Sequence, residues 1–94
     1  MTSSFRHMGV TIHTTSRFEK SYRKLPERIQ TEAKRKEIIF RRNPFDPRLK
    51  THKLHGVEKE AWAFSITRSH RIKFLFLERG NALFLDIGTH DVYE

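Results

Sequence analysis

Two histidine–cation groups in this sequence have the makings of acid–base chemistry on a phosphodiester. One lies near the C-terminus, where Leu83-Phe84-Leu85-Asp86-Ile87-Gly88-Thr89 alternates like a strand, breaks at Gly88 and leads to His90 and Tyr93. The other is Lys50-Thr51-His52-Lys53-Leu54-His55, in which two histidines stand among lysines. Cutting RNA without a metal requires a base for the ribose 2′-OH, an acid for the departing 5′-oxygen, and cations for the phosphate charge. Histidine suits the first two tasks near neutral pH, because its ordinary pKa is about 6.5. Arg71 and His90 would supply a phosphate clamp and an acid from one corner of a sheet. His52 or His55 would supply the base, and Lys50, Lys53 and Lys73 further positive charge. Tyr93 could stack on a base or hydrogen-bond the phosphate.

Each residue has a plainer alternative. His52-x-x-His55 has the form of a metal-ligand pair, but it lacks a helix and a clear third ligand, so no metal and no cofactor is expected. Lys73 falls opposite Asp86 and reads equally as a cross-strand ion pair. His13 and His70 are expected at the surface, His70 in a solvated turn.

The elements that would position these groups follow from periodicity. Met1 to Gly9 shows none and is expected to be an unstructured leader or cloning remnant, with Met8 as an alternative start; residues 10–94 form one domain. Val10-Thr11-Ile12-His13-Thr14 is β-branched and alternating, hence a strand. Ser16-Arg17-Phe18-Glu19 fits a capping box with Ser16 as N-cap, and Phe18, Tyr22 and Leu25 share a helical face. Pro26 separates this helix from a second over Glu27 to about Arg42, with Ile29, Ala33 and Phe40 inward, and Asn43-Pro44 ends it.

Three strands follow. A two-residue turn at Arg79-Gly80 pairs Phe76 with Leu83, Phe74 with Leu85, Ile72 with Ile87, Lys73 with Asp86 and Arg71 with Gly88. A three-residue loop at Arg68-Ser69-His70 pairs Ile66 with Ile72, Phe64 with Phe74 and Trp62 with Phe76. Both registers put the large apolar groups on one face, beneath the helical hairpin. Leu75, Leu77 and Phe84 would then form an apolar group on the opposite face, inviting a covering segment. The predicted fold is α+β: an N-terminal strand, a helical hairpin and a three-stranded antiparallel meander.

The chain has 94 residues, 36% apolar and 32% charged, and no cysteine. One domain of this size buries roughly 60–65% of its unfolded surface, and disulfides and thiolate metal sites are excluded. No apolar run nears the roughly 20 residues of a membrane span, so a cytoplasmic protein with no membrane partner is expected. The net charge of +8 lies wholly within residues 17–53, where 13 Lys/Arg stand against 5 Asp/Glu; the rest of the chain has six of each. That clustering favours a polyanionic partner over a merely solubilising surface.

Across residues 10–93 the sequence resembles the RelE/ParE toxin superfamily. The resemblance is carried by Phe18…Tyr22…Leu25-Pro26, Asn43-Pro44, Thr51-His52-Lys53-Leu54-His55-Gly56, Trp62, His70-Arg71-Ile72 and Ile87-Gly88-Thr89-His90…Tyr93. It is most similar to the YafQ-like and YoeB-like branches. The resemblance implies a RelE-like fold and the toxin of a type II toxin–antitoxin system. Such a toxin is a metal-independent mRNA interferase that acts on mRNA at the ribosome, leaves a 2′,3′-cyclic phosphate and is neutralised by a cognate antitoxin. It implies Arg71 as the phosphate-stabilising arginine, His90 as general acid, Tyr93 as the terminal aromatic and His52 as the first histidine of the YafQ-like pattern. Two positions depart from it: Arg48 stands where YoeB-like enzymes have a glutamate base, and His70 where YafQ-like enzymes have an aspartate. The base therefore stays open, with His52 ahead of His55. ParE-like relatives share the fold and inhibit DNA gyrase without cutting RNA, which is the alternative, beside a degenerate member that only binds RNA.

Overall fold

A computed structural model describes residues 9–56 and 60–89, so only Gly9 of the expected leader is included. The elements are β1 (Thr11–Thr14), α1 (Ser16–Arg23), α2 (Glu27–Arg42), a 3₁₀ turn (Pro47–Leu49), β2 (His52–Lys53), β3 (Trp62–Ser65), β4 (Arg71–Leu77) and β5 (Asn81–Gly88). The strands form one mixed sheet in the order β1-β5-β4-β3-β2. The expected meander β3-β4-β5 is its centre. β1 adds to β5 in parallel, and β2, not foreseen as a strand, pairs antiparallel with β3 and makes the opposite edge.

The hairpin forms as its periodicity demands, with one correction at its start. The N-cap of α1 is Thr15 rather than Ser16: Thr15 Oγ1 accepts from the Phe18 backbone N–H at 3.0 Å. Glu19 accepts instead from Thr14 Oγ1 at 2.6 Å. Thr15 wins the position because it also serves β5: its hydroxyl donates to the Leu85 carbonyl and its N–H to the Phe84 carbonyl. Tyr22 and Gln30 then tie α1 to α2, Gln30 Nε2 donating to the Tyr22 carbonyl at 2.8 Å and the Tyr22 hydroxyl to the Gln30 carbonyl.

The register of β4 against β5 matches the expectation at one end and departs from it at the other. Arg71 opposes Gly88, Ile72 opposes Ile87 and Lys73 opposes Asp86, as read from the sequence. Beyond a bulge the pairs become Phe74–Phe84, Leu75–Leu83 and Leu77–Asn81. The turn holds three residues, 78–80, not two. Arg79 (φ 56°) and Gly80 (φ 75°) both adopt the left-handed conformation it needs, and the extra residue at Leu85 cancels the offset. Phe84 therefore faces the helices and is buried, contrary to the expectation of an exposed Phe84, while Leu83 and Leu85 are only half-buried. Between β3 and β4 the loop is longer than expected: Phe64 opposes Ile72 and Trp62 opposes Phe74. A shift of two preserves the faces, so the same residues still point inward.

Phe40 of α2 sits at the centre of the core and is fully buried, its ring centroid 4.8 Å from Phe64, 5.0 Å from Phe74 and 5.4 Å from Phe84. One helical side chain thus spans three strands. Phe18, Ala33, Leu49, Ile66, Ile72, Ala82 and Ile87 complete the cluster. Phe40→Ala should cost about 3–5 kcal/mol in urea unfolding. The exposed Ile38→Ala, on the same helix, should cost under about 1 kcal/mol; equal losses would show that Phe40 is not the core's centre.

Candidate active site

Partners across a sheet share a face, so the registers fix which polar residues are gathered on the side away from the helices. One row reads His52–Ala63–Lys73–Asp86, and the next Ser65–Arg71–Gly88. His52, Lys73 and Arg71, three of the residues picked from the sequence, therefore share one face. At roughly 4.8 Å per strand spacing, His52 and Lys73 are roughly 10 Å apart along the row, with only Ala63 between them. Lys53 opposes Trp62, so it belongs to the helix side and is not brought to this group. Lys50 and His55 are exposed beside β2, outside the paired rows.

His52 is oriented by the chain segment that precedes it. The 3₁₀ turn ends on Lys50, which adopts the left-handed conformation at φ 53°. The Lys50 carbonyl lies 3.0 Å from His52 Nδ1. A carbonyl can only accept, so Nδ1 carries the hydrogen and the lone pair of the neutral ring is on Nε2. That tautomer is the one that can take up a proton at Nε2 while the carbonyl holds the other end of the ring.

Arg71 is held at the opposite end of the group. Its Nη1 donates toward the carbonyls of Thr67, Arg68 and His70 at 3.0, 3.1 and 3.1 Å, three acceptors from the β3–β4 loop. The same loop organises His70. Thr67 Oγ1 accepts from the backbone N–H groups of Ser69 and His70, which leaves its own hydrogen for His70 Nδ1 at 3.1 Å. Neutral His70 consequently carries its proton on Nε2. Its pKa lies below the ordinary 6.5, first because it is partly buried and then because Arg28 of α2 and Arg71 stand near it. The solvated turn histidine expected from the sequence is instead half-buried and wired in place. Thr67-x-x-His70, the spacing of a hydroxyl-closed turn, was the available signal, whereas Arg28 gave none.

Asp86, opposite Lys73, is buried and forms an ion pair with Arg17, whose Nε donates to Oδ2 at 3.0 Å. Its Oδ1 accepts from the Ile87 N–H at 2.8 Å, so the carboxylate also braces the bulge. His13, expected at the surface, is exposed and lies 2.8 Å from Asn81 Oδ1 through Nε2. His90 and Tyr93 lie outside the described residues. Among the described residues, no three His, Asp or Glu side chains are grouped to hold a metal, and no helix is long and apolar enough to cross a membrane.

No protein-family model matches the sequence, and no curated protein does. Solved structures do. YafQ from E. coli superposes with a TM-score of 0.73 at 16% identity, covering 88% of this chain and 96% of that one. RelBE2, a toxin–antitoxin complex from Mycobacterium tuberculosis, gives 0.74 at 15% identity, covering 87% and 99%. A YoeB/ParE toxin from Agrobacterium tumefaciens gives 0.72 at 18% identity, covering 86% and 99%. The chain has the fold of the RelE/ParE toxins. Within it, the two helices and five-stranded mixed sheet correspond along nearly the whole length of YafQ, RelE-type and YoeB-type proteins.

The environment of His70 gives a direct test of the electrostatics. In an NMR titration its ring should protonate at lower pH than an ordinary histidine, and Arg28→Ala should move that value upward. Between the lowered pKa and 6.5 the unfolded chain binds a proton that the folded chain refuses. The contribution of His70 to stability is therefore flat above 6.5 and declines as the pH falls through that window. A slope of the opposite sign, or an unshifted ring, would contradict the arrangement.

Proposed function

We propose that this protein is the toxin of a toxin–antitoxin pair and acts as a metal-independent endoribonuclease on mRNA at the ribosome. The observation that carries this reading is the register that gathers His52, Lys73 and Arg71 on one face, with Nδ1 of His52 against the Lys50 carbonyl. The fold shared with YafQ and with the toxin of the M. tuberculosis complex supports the toxin class. The excess of +8 over residues 17–53 supports a polyanionic partner.

In this reading His52 Nε2 takes the proton of a ribose 2′-OH as the 2′-oxygen attacks the adjoining phosphorus. The P–O5′ bond breaks, and His90, two residues after Gly88 in sequence, protonates the departing 5′-oxygen. The products are a 2′,3′-cyclic phosphate and a 5′-hydroxyl. Arg71 and Lys73 offset the charge that builds on the non-bridging oxygens. Lys50 extends the positive surface beside β2, His55 adds a hydrogen-bonding ring there, and Tyr93 contributes an aromatic contact. The protein acts in the cytoplasm, and a cognate antitoxin is its protein partner.

Mapping of cut sites on ribosome-bound mRNA should show cleavage in the A site. It should fall about 10²–10⁴-fold in His52→Ala and in His90→Ala, the range for loss of a general base or acid. Arg71→Ala should lose about 10²–10³-fold. Intact mRNA at saturating wild-type protein would overturn the proposal. Inhibition of gyrase supercoiling that survives His90→Ala would assign the ParE-like activity instead.

A further inference from the structure

On the helix side of the sheet, beyond the closed core, three aromatic rings meet at the surface. Phe45 is 54% exposed and Phe76 38% exposed. Phe45 stacks on Phe76 at 5.6 Å with the rings 26° apart, and Trp62 stands edge-on to both, at 5.5 and 5.3 Å. The core does not need Phe45, since α2 already fills the space over Phe64, Phe74 and Phe84 with Phe40.

The turn that carries Phe45 is nevertheless braced. The Phe45 backbone N–H donates to Asn43 Oδ1 at 2.9 Å, and the Asp46 N–H to the Asn43 carbonyl at 3.0 Å. Thr51 Oγ1 donates to the Pro44 carbonyl. Asp46 receives a two-pronged contact from Arg48, at 3.0 and 2.9 Å, which holds its carboxyl down at about 2. A half-exposed aromatic on a braced turn costs little ordering when a flat ligand settles on it.

The position relative to the candidate active site follows from β2. Successive residues of a strand face opposite sides, so His52 ends the polar row and Lys53, the next residue, lies beside Trp62 on the aromatic side. β2 is the sheet edge among the described residues, so a chain leaving His52 can turn over it. Arg42, in the last turn of α2, precedes the Phe45 turn. Aromatic faces bordered by Arg42 and Lys53, two cations of the basic stretch 17–53 that also holds Phe45, match a single-stranded polyanion whose units are flat rings. A protein segment binding there would gain from the apolar surface but not from ring geometry.

We propose that Phe45, Trp62 and Phe76 form a stacking platform for an unpaired base of single-stranded RNA, with Lys53 at the adjoining phosphate. Its role as a subsite for a nucleotide flanking the cut rests on the ribonuclease reading above; binding itself does not.

Trp62 is the sole tryptophan, so its emission reports this surface alone. The full chain is titrated with a single-stranded RNA hexamer made uncleavable by 2′-O-methyl groups. Saturable quenching is expected. Phe45→Leu, which keeps apolar bulk but removes the ring, should weaken it about 5- to 100-fold, while Phe45→Tyr should preserve it. Circular dichroism melts confirm that each variant is folded. No quenching, or identical binding by Phe45→Leu, would overturn the platform, as would quenching by an acidic amphipathic peptide but not by RNA. Cutting without quenching would remove the platform and leave the ribonuclease standing. Quenching without cutting would do the reverse.

Discussion

Phe40 touches a phenylalanine from each of the three central strands, and that requirement dictates much of the rest. For one ring to meet Phe64, Phe74 and Phe84, all three must stand on the same face of the sheet. Alternation then sends Ala63, Lys73 and Arg71 to the other face, because they are the odd neighbours of the inward residues. The polar row is thus the reverse side of the core. A core this aromatic also settles the helix side, since only the α1–α2 hairpin brings enough apolar surface to cover it.

The bulge at Leu85 reconciles two demands that plain alternation cannot satisfy together. Phe84 and Ile87 both face the helices although three positions apart, so two successive residues between them must face outward. The start of α1 holds this irregularity: Thr15 bonds the Phe84 and Leu85 backbone, and Arg17 bonds Asp86. A helix cap, a β-bulge and a buried carboxylate are in this way one structure. Its effect is felt where Asp86 stands opposite Lys73. An unpaired carboxylate in the polar row would work against any polyanion. Pairing with Arg17 and hydrogen-bonding to Ile87 offset much of that charge.

Side-chain parity was the most legible property of the sequence. It located the three central strands and the pairing of Arg71, Ile72 and Lys73 with Gly88, Ile87 and Asp86, while the helical period and the prolines located the helices. What it missed was set by backbone conformations with no periodic signature. Arg79 in the left-handed region makes a three-residue turn out of what reads as a two-residue one, and the compensating bulge moved Phe84 from the surface to the core. β2 has two residues, too few for alternation to be visible, yet it decides that His52 and Lys53 part to opposite faces. The cap moved to Thr15 because a tertiary bond to β5 outweighed the local box. In the site, the placement of Arg71 and Lys73 on one face was recoverable from register, whereas His52 joins them only through β2, which alternation could not reveal. The association of Arg28 with His70 was not recoverable either, since it depends on where α2 crosses the loop.

His52 and His70 show how the same side chain is given opposite properties by a single neighbour. A carbonyl at Nδ1 makes His52 a hydrogen donor there and leaves the lone pair at Nε2. A hydroxyl whose lone pairs are already taken makes His70 an acceptor at Nδ1 and places its hydrogen at Nε2. The first ring carries its hydrogen at Nδ1 when neutral. The second can offer a hydrogen bond while remaining neutral. Neutrality follows because burial, and then the charges of nearby Arg28 and Arg71, oppose a positive charge on His70. The loop that positions Arg71 through three of its carbonyls therefore also keeps its neighbour uncharged.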